Sequence, residues 1–322
     1  MINIGVFGAG HLGKIHIKCI LESELFNLKG FYDPDPEVVD FVENEYNIQS
    51  YKSAEELIND IEIVDIVTPT LEHFQLAEKS IKLGKHVFIE KPVVATPEEA
   101  NKLMLLATEA SVQVQVGHVE RFNPAYVAAL PFIKNPMFIE THRLATFNVR
   151  GNDVPVVLDL MIHDIDIVLS IVKSEVKRVS ANGVSIVNDT PDIANARVEF
   201  HNGCVANFTA SRISMKNMRK TRFFQQNAYI SVDYLDKKSE IIQMREYDPS
   251  KDNPFAMLID LGEKGQKQIY FQNPEIKPNN AIKDELESFA KSIKNNTSPI
   301  VSLQDGCNAL ELAYMIMEKI EK

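Results

Sequence analysis

A glycine-rich turn directly after a short apolar run constrains the fold of this chain more than any other feature. The run from Ile2 to Phe7 has the apolar character of a buried β-strand, and residues His11 to Leu21 have the pattern of a helix. The turn that joins them reads Gly8, Ala9, Gly10, His11, Leu12 and Gly13. A strand, a GxGxxG turn and a helix in this order predict the opening of a Rossmann fold, in which the glycines let a pyrophosphate approach the helix N-terminus.

Short apolar runs and amphipathic stretches alternate through residues 1–122, which is the pattern of βαβ units and a parallel sheet. After Pro124 the pattern changes to alternating strands, with a hairpin turn predicted at 201–203 and closing helices near Ala281–Lys294 and Leu303–Ile320. We therefore predict an α/β protein with two domains. Residues 1–122 form a dinucleotide-binding Rossmann domain with a doubly wound parallel sheet, and residues 123–322 form an α+β domain with a large, mostly antiparallel sheet. The second domain is expected to bind substrate and, through a free sheet face, to form a homodimer or homotetramer.

The charge balance limits the partners of this chain. A net charge of −11 argues against nucleic acid or an anionic membrane as the main partner, because both require a basic surface. The apolar runs are shorter than a membrane span, and the N-terminus lacks the basic region of a signal peptide. Three separated cysteines (Cys19, Cys204 and Cys307) without CxxC spacing favour buried thiols over a metal or disulfide role. We predict a cytoplasmic protein without a metal site.

The end of the second predicted strand bears on the choice of cofactor. Asp33 ends the run that begins at Leu28, where a carboxylate can accept hydrogen bonds from both ribose hydroxyls of an adenosine. The residues that follow, Pro34-Asp35-Pro36, include no arginine or lysine that could receive a 2′-phosphate. The sequence therefore predicts NAD as the cofactor in preference to NADP.

Other residues near the predicted strand ends are candidates for cofactor contacts. His11 either flanks the cofactor or faces solvent, and His73 is either a helix-cap partner or a cofactor neighbour. Thr68 and Pro69 end the strand Val64–Val67 and are expected beside the nicotinamide ribose. We assign cofactor binding to Gly8, Gly10, His11, Leu12, Gly13, Asp33, Thr68, Pro69, His73 and Glu90.

Lys91 directly follows another short apolar run and is a candidate acid/base group. Ligands of open α/β sheets bind beyond the carboxyl ends of the strands, where Lys91 is placed. Hydride transfer at a carbon requires a proton to move on the adjacent oxygen, and a side chain of the protein must exchange it. Glu90 either holds this lysine or contacts the cofactor. The alternative is an ordinary surface lysine after a strand.

A second polar cluster lies in the apolar helical pattern Val156–Val172. Asp159 and His163 are four residues apart and share one helix face, and Asp166 lies near it. Acidic and imidazole groups in such a helix are costly unless they are paired or functional. A paired Asp–His couple or a zinc site are the alternatives, but the spacing offers no third zinc ligand.

Taken together, the glycine turn, the Glu90-Lys91-Pro92 segment and the Asp159-x-x-x-His163-x-x-Asp166 element resemble the Gfo/Idh/MocA family of sugar and polyol oxidoreductases, over nearly the whole chain. The resemblance implies that Lys91 and His163 carry proton transfer and substrate-hydroxyl binding, with Asp159 as a partner. Members commonly have glycine where this chain has Met161, and the glycine-rich run often found upstream is replaced by residues 153–157.

The stretch from Gly117 to Pro124 resembles the corresponding stretch of family members that act on nucleotide sugars such as UDP-N-acetylglucosamine. We assign substrate contacts to Arg121, Asn123 and Asp166. Arg121 is equally compatible with an interdomain ion pair. His142, Arg143 and Arg150 add cationic groups on the next strand and the loop after it. A basic run is either a solvated loop or a diphosphate-binding loop, and it comprises Lys216, Arg219, Lys220 and Arg222.

The sequence thus predicts an NAD-dependent oxidoreductase that acts on a secondary hydroxyl or ketone of a sugar, with a nucleotide sugar as the expected substrate. Two alternatives remain open at this point. One is a glycoside hydrolase of the same fold that uses NAD transiently, and the other is a non-catalytic sugar or dinucleotide sensor.

Overall fold

The computed structural model describes residues 1–147, 154–248, 250 and 257–321. The chain divides into two compact units. The first comprises Met1–Phe122 with Asn280–Leu312, and the second comprises Asn123–Asn279 with Ala313–Lys322. Residues 280–312, which the sequence predicts in the second domain, pack with the first unit.

The first unit contains a five-stranded parallel sheet in the order β2-β1-β3-β4-β5. Its strands are β1 (Ile2–Phe7), β2 (Phe26–Tyr32), β3 (Ile63–Ile66), β4 (His86–Glu90) and β5 (Val114–Gly117). Its helices are α1 (His11–Leu21), α2 (Pro36–Tyr46), α3 (Ala54–Asp60), α4 (Thr70–Lys82) and α5 (Pro97–Ala110), and a 3₁₀ turn at Val119–Phe122 follows β5. The strand order reverses between β1 and β3, so this edge of the sheet is the expected ligand crevice.

The helix caps of this unit follow the sequence closely. The Asp35 side chain accepts a hydrogen bond from the Glu37 N–H and precedes Pro36, the first residue of α2. Thr96 and Glu99 form a complete capping box at the start of α5. Both caps are short local patterns in the sequence, and they explain why the helices start directly after the crevice loops.

Helix α8 (Ala281–Asn295) explains why a late segment belongs to the first unit. Its apolar face buries Leu286, Phe289 and Ala290 in the same core as Ile17 and Phe88. The Phe289 and Phe88 ring centroids are 6.2 Å apart. An amphipathic pattern identifies the face of a helix that is buried but not the core that receives it, so the sequence alone could not assign α8. Helix α9 (Leu303–Ile320) has residues in both units.

The second unit contains a nine-stranded sheet in the order β13-β14-β12-β11-β10-β6-β9-β8-β7. Its strands are β6 (Phe138–Leu144), β7 (Val176–Val184), β8 (Ile193–Phe200), β9 (Val205–Ser211), β10 (Met218–Gln225), β11 (Ala228–Asp233), β12 (Lys238–Glu246), β13 (Met257–Asp260) and β14 (Gln266–Gln272). All pairings are antiparallel except that of β6 with β9, and the predicted hairpin turn at 201–203 joins β8 to β9. The predicted fold class is confirmed for both units.

Two α-helices of this unit lie before the long run of strands. They are α6 (Pro124–Ala129) and α7 (Ile162–Val172). A five-residue π-helical turn, Val157–Met161, directly precedes α7, so the helical stretch predicted from Val156 begins with wider winding. Within the described residues, every helix is too short or too polar to cross a bilayer.

Candidate active site

The glycine turn packs so tightly that its backbone tolerates few side chains. Gly8 has a φ of +88°, and a Cβ on Gly13 would lie only 1.9 Å from the Gly8 carbonyl oxygen. A Cβ on Gly10 would meet nothing within 4 Å. Gly10 is also the N-cap of α1, which has no side-chain cap and no acidic residue in its first turn. Open space in front of an uncapped helix N-terminus fits the pyrophosphate of a dinucleotide.

Alanine at Gly13 and at Gly10 should therefore have different effects. We expect Gly13→Ala to destabilise the protein by about 1–3 kcal/mol and to weaken NADH binding, because the methyl group overlaps the Gly8 carbonyl. Gly10→Ala should weaken NADH binding while lowering stability by only about 0.5–1 kcal/mol, the cost of a poorer N-cap without a steric clash. Urea unfolding and NADH fluorescence titration of both variants test this. Equal loss of stability in the two variants would contradict the packing argument.

Asp33 is held in place by backbone amides from both sides. The Ala9 N–H donates to its Oδ2 at 2.7 Å, and the Asp35 N–H donates to its Oδ1 at 3.0 Å. Each carboxylate oxygen keeps a second lone pair that can accept a ribose hydroxyl. The carboxylate is thus fixed against the glycine turn, as a cofactor contact requires.

His73 bridges the loops that follow β3 and β4. Its Nε2 lies 2.9 Å from the Thr68 carbonyl oxygen and its Nδ1 lies 3.0 Å from the Pro92 carbonyl oxygen, and the side chain is 1% exposed. Burial lowers the pKa of His73, against the opposing pull of these carbonyls. The His73 ring therefore joins the loops after β3 and β4. This role differs from both predicted alternatives, a helix-cap partner and a cofactor neighbour. Of the other predicted cofactor residues, His11 and Pro69 are exposed, while Leu12 and Thr68 are half-buried.

Lys91 leaves the carboxyl end of β4 as a half-buried residue, and Glu90 before it is 9% exposed. The Lys91 N–H donates to Glu90 Oε2 at 3.2 Å. Glu90 Oε1 lies 3.3 Å from Nε2 of the fully buried His16, whose Nδ1 lies 3.0 Å from Asp65 Oδ2. Glu90 is thus a member of a buried network.

His16 and Asp65 were missed by the sequence reasoning. The sequence does indicate a buried polar contact here, because Asp65 interrupts the apolar run of β3, where all four residues are buried. A carboxylate in a buried parallel strand requires a partner. The partner could not be identified from the sequence, because it lies on α1, 49 residues earlier.

In the second unit, the acid and imidazole groups differ in exposure. Asp159 lies in the π-helical turn and His163 in the first turn of α7, and both are half-buried. Asp164 and Asp166 are each 1% exposed. The predicted catalytic pair, Asp159 and His163, is therefore partly accessible to solvent, while the predicted substrate residue Asp166 is buried.

Arg143, considered above as a cation for the substrate, instead neutralises Asp164. Its Nε donates to Asp164 Oδ2 at 3.0 Å and its Nη2 donates to Oδ1 at 3.1 Å, so the two side chains form a bidentate ion pair. Both side chains are almost fully buried, with Arg143 at 2% exposure. This arginine joins β6 to α7 and does not present its charge to a ligand. Arg150 lies outside the described residues.

The residues after β5 mainly have structural contacts. Arg121 Nη2 lies 3.6 Å from Asp305 Oδ1, and both residues belong to the first unit, so the predicted interdomain ion pair is within one unit. Asn123 caps α6 through the Ala125 N–H, and its Nδ2 donates to the Tyr234 carbonyl oxygen at 3.0 Å. Both ends of the Asn123 amide are therefore used inside the protein, which corrects its assignment as a substrate contact.

The basic run on β10 is also largely neutralised. Lys220 pairs with Asp233 at 2.9 Å, and Arg222 pairs with Glu140 at 3.1 Å. A solvated, ion-paired strand therefore describes these two residues better than a diphosphate loop. Among the described residues no group of three or more His, Cys, Asp or Glu side chains could hold a metal ion, and all three cysteines are buried and unbridged.

Comparison with known proteins identifies the family. Residues 2–118 match the model of the Gfo/Idh/MocA oxidoreductase family with an NAD-binding Rossmann fold, and residues 146–230 match a C-terminal domain model of the same family. The chain is 38% identical to the UDP-N-acetylglucosamine 3-dehydrogenase of Acidithiobacillus ferrooxidans over 239 residues, which cover 74% of this chain and 75% of that enzyme.

Solved structures agree with this result. A crystal form of the same Acidithiobacillus enzyme superposes with a TM-score of 0.89 at 31% identity, covering 99% of this chain and 97% of that one. The scyllo-inositol dehydrogenase of Lactobacillus casei, solved with NAD(H) and scyllo-inositol, shares the fold with a TM-score of 0.78 at 21% identity, covering 100% and 97% of the two chains. The predicted family, oxidoreductase class and NAD cofactor are confirmed, and the chain belongs to the Gfo/Idh/MocA family of NAD-binding oxidoreductases.

Proposed function

We propose that this chain is an NAD-dependent dehydrogenase that interconverts a secondary hydroxyl and a ketone on a sugar, and that the sugar is carried by a nucleotide such as UDP. The observation that carries the proposal is Lys91 at the carboxyl end of β4, on the same edge of the sheet as the glycine turn after β1. The nucleotide is supported by the 38% identity to an enzyme named for UDP-N-acetylglucosamine.

NAD supplies the acceptor or donor of a hydride when it is bound. The uncapped N-terminus of α1 and the carboxylate of Asp33 would hold its pyrophosphate and adenosine ribose. Because the Ala9 amide holds Asp33 against the glycine turn, one loop would bind both the ribose and the pyrophosphate.

In the oxidative direction, the substrate hydroxyl loses its proton to the Lys91 amine as its carbon loses a hydride. His163 is proposed to bind and orient a substrate hydroxyl through a hydrogen bond, and Asp159 is proposed to orient the imidazole. The reverse assignment, with His163 as the proton acceptor and Lys91 as the orienting group, uses the same atoms. In the reductive direction the proton returns from the same residue to the ketone oxygen.

The NAD preference is tested by changing Asp33. We expect Asp33→Ser to raise the ratio of NADP to NAD binding roughly tenfold or more, because a carboxylate next to a 2′-phosphate repels it. The matched control is Asp35→Ser, two residues away, which should leave the ratio unchanged because Asp35 caps α2. Dissociation constants for both cofactors, from fluorescence titration, provide the measurement. An unchanged ratio in Asp33→Ser would contradict the role assigned to this carboxylate.

The activity is tested by incubating the full chain with NAD and a panel of UDP-sugars, free sugars and inositols while NADH absorbance is recorded. Net NADH formation with a UDP-sugar is the expected result. Sugar release without net NADH would favour the NAD-using glycoside hydrolase instead. Binding of sugar and NAD without any turnover would favour a sensor.

We also propose that the outer face of the nine-stranded sheet joins copies of this chain into a homodimer or homotetramer. Exposed apolar side chains on its β13 and β14 edge, such as Met257 and Phe271, support this proposal. Light scattering after size-exclusion chromatography measures the mass directly, and a monomer at micromolar concentration would contradict it.

A further inference from the structure

Three ionisable side chains from three separate elements meet inside the first unit, beneath Lys91. They are His16 on α1, Asp65 on β3 and Glu90 at the end of β4, and their exposures are 0%, 0% and 9%. The imidazole lies between the two carboxylates, with Nδ1 at 3.0 Å from Asp65 Oδ2 and Nε2 at 3.3 Å from Glu90 Oε1. The proposed chemistry uses none of these contacts directly.

The positive charge of His16 and the negative charges of the neighbouring carboxylates stabilise one another. Burial alone would lower the pKa of His16, but the adjacent carboxylates outweigh it and raise the pKa well above its ordinary value. Burial likewise opposes ionisation of Glu90, yet His16 and Lys91 bring the pKa of Glu90 below its ordinary value. The same network leaves Asp65 with a raised pKa, because burial dominates there. A charged imidazole between carboxylates is the arrangement that buried ions require.

Gly117 and the Lys91 backbone also contact the Glu90 carboxylate. A Cβ on Gly117 would lie 2.6 Å from Glu90 Oε1, so a larger residue at this point of β5 would displace the carboxylate. On the other side the Lys91 N–H donates to Oε2. Two further titratable groups face the network: Cys19 on α1 faces His16, and His73 on α4 faces Glu90. Cys19 accepts a hydrogen bond from the Asn280 amide, and His73 contacts the Thr68 and Pro92 carbonyls, so the described contacts that position the Glu90 carboxylate come from His16, Gly117 and the Lys91 backbone.

We propose that His16 is a positioning residue, which fixes the Glu90 carboxylate and through it the location and charge environment of Lys91. Because His16 belongs to the helix whose N-terminus meets the cofactor, the network also ties the cofactor turn to the proton-transfer group. The proposal rests on the proposed dehydrogenase function for its kinetic consequences, but its electrostatic consequence can be measured without turnover.

The main variant is His16→Gln, which keeps a hydrogen-bonding group but removes the positive charge. Two carboxylates then face each other without a cation, and the field of Glu90 on Lys91 is no longer balanced. We expect kcat to fall about tenfold or more with a change in KM for NAD of less than about twofold, because the α1 N-terminus itself is intact. We also expect the pH limb of kcat assigned to Lys91 to move up by about one unit.

Two further variants separate positioning from general damage. Gly117→Ala pushes on Glu90 from the opposite side without changing any charge, and it should lower kcat about as much while leaving the pH limb near its wild-type place. Ile17→Ala removes a fully buried side chain that does not face His16, because adjacent helix positions point in different directions, and it serves as the matched control. It should reduce stability without changing kcat or the pH limb.

The deciding readout is the titration of the Lys91 side chain, followed by ¹³C NMR of lysine Cε in the unliganded full chain and assigned with Lys91→Met. A midpoint about one pH unit higher in His16→Gln than in wild type supports the proposal. An unchanged midpoint overturns it, whatever the activity. Because this titration needs no substrate, it remains decisive if no sugar reduces NAD, a result that would overturn the proposed function by itself.

Discussion

Replacing Lys91 with methionine should abolish turnover while leaving the cofactor site intact. Methionine matches much of the lysine side chain in length but cannot exchange a proton, and a positioned acid/base group contributes about 10²–10⁴-fold to rate. We therefore expect kcat to fall by about that factor, with an NADH dissociation constant within about twofold of wild type. Initial rates and NADH fluorescence titration measure the two quantities separately.

The matched control is the same substitution at Lys85, directly before the amino end of β4. The Lys85 ammonium donates to the Ile61 carbonyl oxygen at 2.7 Å, far along the strand from the crevice edge. Lys85→Met should therefore leave kcat unchanged within about twofold. Full activity in Lys91→Met would show that another group exchanges the proton, with His163 as the first candidate.

Removing Arg143 should cause the largest loss of stability of any single change discussed here. Arg143→Met leaves the Asp164 carboxylate buried at 1% exposure without its two-pronged partner. Breaking one side of a buried ion pair costs about 3–5 kcal/mol. Urea unfolding of the full chain, followed by circular dichroism, should show this loss in the transition of the second unit.

Two companion variants test the cause of that loss. Arg222 on the neighbouring strand β10 pairs with Glu140 in a half-exposed position, so Arg222→Met should cost only about 0–1 kcal/mol. The double change Arg143→Met with Asp164→Leu removes both buried charges and should recover most of the stability. Equal losses for Arg143→Met and Arg222→Met, or no recovery in the double variant, would contradict the argument from an unpaired buried charge.

The sequence allowed the cofactor half of the site to be predicted with some precision. The glycine turn, Asp33 at the end of β2 and the caps at Asp35 and Thr96 are each local patterns of a few residues, and local patterns survive folding when the surrounding packing agrees with them. Lys91 could be placed at a strand end for the same reason. Local patterns do not identify the contacts between elements that are far apart in the chain.

The contacts that escaped prediction all join residues far apart in the chain. His16 and Glu90 meet across 74 positions, and Arg143 reaches Asp164 from a different element. The sequence identifies Arg143 as a candidate cation for the substrate. Its pairing with Asp164 depends on the packing of α7 on the sheet, which the sequence alone does not give. Asn123 shows the same point, since it was assigned to the substrate while its side-chain amide donates to the Tyr234 carbonyl oxygen, 111 positions away.

The most direct test of the proposed function is a crystal structure of the full chain with NAD and UDP-N-acetylglucosamine bound. We predict that the Lys91 amine lies within hydrogen-bond distance of one hydroxyl oxygen of the sugar, and that the carbon carrying this oxygen faces the nicotinamide. A Lys91 amine out of reach of every sugar oxygen would contradict the proposed dehydrogenase.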